Sequence, residues 1–382
     1  MAPSNEVHVT IDNPDTPIPG QDITATATLN LTKPLSVSEF TVSIYGRAFS
    51  RIYRQYVLSN FRYNWCGQGF FFKRFVVLIQ TPTTLPPGTH TFPFRLQLPA
   101  TTEQVRGNWH MFNKWKPRDP FPGKDTTHPL PATLVDMAAN ETWGSTEGKV
   151  EYIIEAKVQK GPEAGFLDSM PKDARTFTVA SLPRPDLPQS LNSAQIPWQQ
   201  VVRTIQTPAG PANITCRLPQ VLIQGAKAPI YLKSDRPLVL TGLKIKLYLE
   251  YLVRGRNLIW PEKRTSVTPS AQLVRAENGS LPLSAEYVPV RVLEISRGLP
   301  LAFVTFNLAC LAHWLEIKYR VTEPGGKEET KAVMKDISVQ VQSWVDGRAG
   351  ENGQGQGKQV GGSFVGQVLN EEEYRKWQAE KK

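Results

Sequence analysis

The groups best suited to covalent or acid–base chemistry are few and scattered through this 382-residue sequence. The five histidines, His8, His90, His110, His128 and His313, do not cluster. Cys66, Cys216 and Cys310 lie far apart, with neither a C-x-x-C nor metal-ligand spacing. H-E-x-x-H, G-x-S-x-G and P-loop motifs are absent. The run Gly353-Gln354-Gly355-Gln356-Gly357 follows no strand that would make it a phosphate cradle. No carboxylate spacing marks a glycosidase pair. The expectation is a chain with no catalytic centre, no metal and no cofactor. His313 falls inside an alternating pattern and reads as a structural histidine.

Binding chemistry is richer. Between Tyr45 and Phe75, Arg47, Arg51, Arg54, Arg62, Lys73 and Arg74 interleave with Tyr, Trp and Phe rings. Residues 40–102 hold no Asp or Glu, so a surface built from them would attract anions. Guanidinium forks suit phosphate or acidic cargo segments. The competing reading is a long hairpin whose rings pack and whose basic stems cover apolar surface. A second stretch carries Trp109, Phe112, Lys114, Trp115, Lys116 and Arg118 between two strand patterns, as a loop insertion would. Rings beside bases suit an anionic headgroup region or a cargo contact. The alternative there is a lid that buries both tryptophans. A third feature, Glu371-Glu372-Glu373, would either fold back on the basic face or sit at a helix N-terminus, where carboxylates are favoured. The net charge of +10 comes without a recognition helix, zinc finger or ribonucleoprotein motif, so nucleic acid is not an expected partner.

In the scaffold that must position these groups, the dominant period is 2. Ile23-Thr24-Ala25-Thr26-Ala27-Thr28-Leu29, Phe92-Pro93-Phe94-Arg95-Leu96 and Leu243-Lys244-Ile245-Lys246-Leu247 alternate apolar and polar residues. Thirty-two prolines and 27 glycines punctuate the runs. Many short strands with turn signals predict an all-β chain of two consecutive immunoglobulin-like β-sandwiches. The expected limits are a sandwich over 1–182, a proline-rich linker over 183–200, a second sandwich over 201–345, and a Gly-rich tail over 346–382. Val365 to Lys382 is expected to form a short helix with Val368, Leu369, Tyr374 and Trp377 as its apolar positions. A helix that short needs a docking surface to persist. No apolar run suits a membrane span, and the first residues lack a signal-peptide pattern, which points to the cytoplasm. Without a secretory route, the sequons at Asn30, Asn140, Asn213 and Asn278 are expected to stay unmodified.

The two halves share a local pattern. Residues Lys33 to Tyr45 align without gaps to Arg236 to Tyr248: base, Pro, Leu, then an alternating strand ending in Tyr. Gly20 and Gly225 open the preceding strand in each copy. Duplication of one sandwich is the reading.

The order of motifs resembles a known family. It runs from Pro19-Gly20 through Tyr45-Gly46, then Leu85-Pro86-Pro87-Gly88 to Pro99, Leu130-Pro131, and Gly148 to Ala156. It is similar to the arrestin N-terminal domain of fungal arrestin-like proteins (α-arrestins). Phe303 to Phe306 and His313 to Ile317 resemble closing strands of the arrestin C-terminal domain. The resemblance covers about residues 7–343. It implies a non-enzymatic adaptor for protein transport and endocytosis that binds cytosolic tails of membrane transporters or receptors, near plasma membrane or endosomes. Family members also recruit a HECT-type ubiquitin ligase through P-P-x-Y. No P-P-x-Y occurs here, since Pro86-Pro87 is followed by Gly88-Thr89, so ligase recruitment would be indirect. Lys227, Lys233, Lys244 and Lys246 are candidate ubiquitin acceptors. A retromer-type sorting-coat subunit with the same fold, and a secreted carbohydrate-active sandwich enzyme, are the alternatives.

Overall fold

The computed structural model describes residues 5–13, 16–55, 62–103, 128–141, 144–162, 170–180, 197–255, 263–268, 270–276, 280–296, 299–305, 307–342 and 366–380. The described chain is nearly all β, as the alternation predicts. The first half holds β1 (Glu6–Ile11), β2 (Asp22–Leu31), β3 (Leu35–Gln55), β4 (Arg62–Ile79), β5 (Thr83–Leu85), β6 (Gly88–Gln97), β7 (Leu134–Glu141), β8 (Gly144–Lys160) and β9 (Lys172–Phe177). The second holds β10 (Trp198–Thr207), β11 (Gly210–Pro219), β12 (Val221–Ile223), β13 (Lys227–Ser234), β14 (Leu238–Gly255) and β15 (Lys263–Val267). It continues with β16 (Ser270–Ala276), β17 (Leu281–Leu283), β18 (Val288–Glu294), β19 (Phe303–Val304), β20 (Leu308–Thr322) and β21 (Thr330–Gln342). The chain then ends in β22 (Gln367–Asn370) and helix α1 (Glu371–Glu380).

Among the described residues these strands form four sheets. In the first half, β1-β2-β6 faces the larger sheet β22-β4-β3-β8-β7, on which β5 and β9 also pair. In the second, β10-β11-β13-β18 faces β12-β21-β20-β14-β15, which also carries β16, β17 and β19. Alternation sets the inward faces. Ile23, Ala25, Ala27 and Leu29 of β2 are all buried, and Phe40 of β3 meets Phe92 of β6 edge-to-face at 5.2 Å across the sandwich.

The repeat read in the sequence extends to matched hydrogen bonds. Gly20 and Gly225 both take left-handed conformations, φ 85° and 75°. Each is the third residue of a turn, closed by the Gln21 amide on the Ile18 carbonyl and the Ala226 amide on the Ile223 carbonyl. The Gly20 amide donates to Leu98 O and the Gly225 amide to Ile295 O. In return Leu98 donates to Gln21 O and Ile295 to Ala226 O. From these turns β2 pairs with β6 and β13 with β18. The Lys33 and Arg236 segments then lead into β3 and β14, the long central strands of the two larger sheets.

The halves meet where these long strands end. The Ser50 hydroxyl of β3 donates to the Arg254 carbonyl of β14 at 2.5 Å. Asn307 Nδ2 donates to Ser50 Oγ at 2.8 Å and to the Gly67 carbonyl at 3.1 Å. Arg254 and Asn307 are fully buried. One cluster of buried apolar side chains runs through both halves, from Val7 to Val341. The stretch assigned to a linker lies outside the described residues except for its last residues, which begin β10.

Candidate functional site

The basic stretch singled out in the sequence is the hairpin β3–β4 of the larger sheet. The strand beside β3 is β8, which brings acids from about a hundred positions away. Register sets Arg47 opposite Glu151 and Arg51 opposite Glu147. Arg47 pairs with Glu151, which also accepts from Lys149 at 2.8 Å. Burial alone would raise the Glu151 pKa, but the bonds from Lys149 and Arg47 outweigh it and hold this carboxyl below its ordinary value. Arg51 lies 3.8 Å from Glu147 and donates to Asn64 Oδ1 at 3.0 Å. Arg54 is turned onto the Tyr53 and Ser145 carbonyls, at 2.8 and 3.2 Å. Arg74 pairs with Glu103, and Lys73 stands over the rings of Tyr45 and Phe75 at 5.4 and 4.9 Å. Arg62 is exposed at the start of β4. The stretch is therefore not a continuous cationic face. Five of its six bases are engaged by acids, carbonyls or rings.

Its two ends do different things. The distal end, with Trp65, Cys66 and Gly67, abuts the second half, where Lys263 sits 4.6 Å over the Trp65 ring. The proximal end receives the tail. β22 adds to the outer edge of β4, with Val368 opposite Val76, Leu369 opposite Phe75 and Asn370 opposite Arg74. Helix α1 then lies over the outer sheet face. Tyr374 stacks on Phe75 at 3.9 Å and 10°, and Trp377 follows at 5.7 Å from Tyr374. Phe75, Val77 and Leu369 are buried as a small cluster separate from the main core. Beneath the helix, Glu39 is 3% exposed. It accepts from the Tyr374 hydroxyl at 2.7 Å, Gln378 Nε2 at 2.6 Å and Gln159 Nε2 at 3.1 Å. Burial first, and the Glu39 contact second, push the Tyr374 hydroxyl well above its ordinary pKa.

The local sequence explains this fold-back, and it corrects the expected helix. Val368 and Leu369 are strand residues, because Asn370 ends the ladder and starts the helix. Asn370 Oδ1 accepts from the Glu373 amide at 2.9 Å, and Glu373 Oε2 accepts from the Asn370 amide at 2.8 Å. That reciprocal pair is a capping box, legible as Asn-x-x-Glu. Glu373 thus serves its own helix, close to Glu103, whose pKa burial raises against the pull of Arg74. Glu39, Glu103, Gln378 and the β8 acids carried no sequence signal as a site, since only strand pairing and helix docking bring them there.

The loop candidates Trp109, Phe112, Lys114, Trp115, Lys116 and Arg118 lie outside the described residues. Among the candidate acceptors, Lys227 reaches Glu294 at 3.5 Å, while Lys233 and Lys246 stand over Tyr287 and Tyr248. Burial pushes the Cys216 and Cys310 thiols up to about 12, which suits inert core residues. His313 Nε2 donates to the Pro300 carbonyl at 2.7 Å inside the core. No group of three His, Cys, Asp or Glu among the described residues could hold a metal ion. None of the helices among them is long and apolar enough to cross a membrane. The sequence matches no protein-family model and no curated protein.

Proposed function

We propose that this chain is a non-enzymatic, arrestin-like docking scaffold that takes up cytosolic tails of membrane transporters or receptors. The observation that carries the reading is the tail itself: an extended segment plus a short aromatic helix occupying the open edge and outer face at β4. Such an edge gives main-chain affinity, and the Phe75–Val77 patch gives side-chain specificity. A tethered segment holds the edge at high effective concentration, so a cargo segment of like chemistry must compete with it. The repeated sandwich plan, with its matched turns at Gly20 and Gly225, supports the likeness to a doubled arrestin architecture. A ubiquitin ligase would then be recruited through another adaptor, and an anionic membrane surface would be a secondary contact.

Removal of residues 366–382 tests the reading. Proximity labelling in cells should show more transporter or receptor capture by the shortened chain than by the full chain. Equal labelling by both chains would refute the role of the β4 edge. Constitutive co-purification with coat subunits, unaffected by the tail, would point instead to a sorting-coat subunit.

A further inference from the structure

A second open edge lies on the far half. β10 is the outermost strand of its sheet: it pairs with β11 along its whole length and with no other strand among the described residues. Across from it runs β21, whose outer neighbour β12 reaches only Gln340–Gln342. Two contacts tie these strands together: Gln199 Nε2 on the Ser338 carbonyl at 2.9 Å, and Thr330 Oγ1 on the Gln206 carbonyl at 3.5 Å. Between the ties opens a cleft of about 730 Å³.

The cleft is cationic. Arg203, Lys331 and Lys335 line it against the single acid Asp336. All three cations are exposed, and none forms an ion pair among the described residues. Lys331 also stands opposite Arg320 in the β20–β21 register. Arg320 is paired with Glu329 at 3.3 Å, whereas Lys331 forms no ion pair among the described residues. The fourth charged residue of the cleft, Asp336, has φ 57°, a left-handed conformation that costs a non-glycine residue energy. It sits with Lys335 in a bulge, where Met334 pairs with Ile317 and Ile337 with Leu315. Bulges re-aim side chains, and here the two re-aimed ones line the cleft. Beside the opening Val202 is 60% exposed on β10, one of the largest apolar exposures of the described chain.

We propose that this cleft is a docking site for an extended acidic segment of a partner protein, which adds to β10 as a strand while its carboxylates meet Arg203, Lys331 and Lys335. Open backbone supplies the main-chain bonds, and the alternate side chains of such a segment reach the cations on one face and Val202 at the rim. The site is independent of the β4 edge and of the scaffold reading above.

The test uses the full chain and a fluorescein-labelled octapeptide alternating Glu and Val. Binding is measured by anisotropy, and hydrogen exchange is followed in the complex. Peptide binding should protect the β10 amides that face away from β11. The variant R203Q/K331Q/K335Q, altered only at exposed side chains, should lose at least ten-fold in affinity at an unchanged melting temperature. Proline at two alternate peptide positions should abolish binding. Undiminished affinity in the triple variant would overturn the proposal, as would tight binding of the proline peptide. So would β10 edge amides already protected in the free chain, which would mean that the edge is covered by the protein itself. Anionic phosphatidylserine vesicles that sediment the wild type but not the triple variant, with no peptide binding, would reassign the cations to a membrane surface.

Discussion

At the seam between the halves, a hydroxyl, an amide and two glycines do the joining. A Cβ on Gly67 would come within 2.8 Å of the Arg254 carbonyl and 2.6 Å of Ser50 Oγ, and one on Gly255 would meet the Trp65 backbone at 2.8 Å. Backbone cannot yield as a flexible side chain does. Gly67→Ala is therefore expected to cost about 1–3 kcal/mol, seen as a lower urea midpoint at unchanged slope. Wild-type stability in that variant would show that the seam is looser than its hydrogen bonds imply. His313 offers a pH-dependent counterpart. Burial lowers its pKa from 6.5, and the bond to Pro300 O offsets this only in part. The folded state thus binds this proton less readily than the unfolded one. Its contribution to stability is present above pH 6.5 and is lost as pH falls through the lowered value. His313→Gln should flatten the stability profile as pH falls below 6.5; an unchanged slope there would place the acid sensitivity elsewhere.

The tail is the element whose stability is most clearly separable from the rest. α1 has ten residues, too few to persist alone in water, so its cap and its docked face must hold it. Asn370→Ala removes one side of the capping box and should weaken docking by about 1 kcal/mol. Tyr374→Phe keeps the stack on Phe75 but removes the hydroxyl from the Glu39 carboxylate. Loss of a bond to a charged acceptor is worth about 1.5–3 kcal/mol. Both should appear as faster hydrogen exchange at the Phe75–Val77 amides that face β22, with the β3–β8 ladder unchanged. Uniform acceleration across the sheet would instead mean that the tail is part of the global fold.

Across the whole molecule, the continuous apolar cluster couples the two repeated sheet pairs. Thermal unfolding of the full chain should therefore follow a single cooperative transition by calorimetry, despite the internal repeat. Two resolved transitions would show that Ser50, Gly67, Arg254 and Asn307 contribute little to the coupling. The net charge of +10 is distributed by this architecture, not by the order of residues. The acid-free run 40–102 acquires its carboxylates from β8 and Glu103, while Arg203 meets Lys331 and Lys335, more than a hundred positions away, with Asp336 the one acid lining their cleft.

Strand character, inward faces and the paired turns follow from the residues alone. Period-2 alternation and a glycine that must take positive φ are properties of a few consecutive positions, which is why Ile23 to Leu29, Gly20 and Gly225 are legible without coordinates. The start of α1 was equally local, written as Asn370-x-x-Glu373, although Val368 and Leu369 carry the same apolarity whether strand or helix. Which strand lies beside which is another matter. Pairing energies are similar for many registers until a common core selects among them, so the Arg47–Glu151 ladder, the Glu39 pocket under Tyr374 and the cationic cleft at β10 exist only once the sheets have closed.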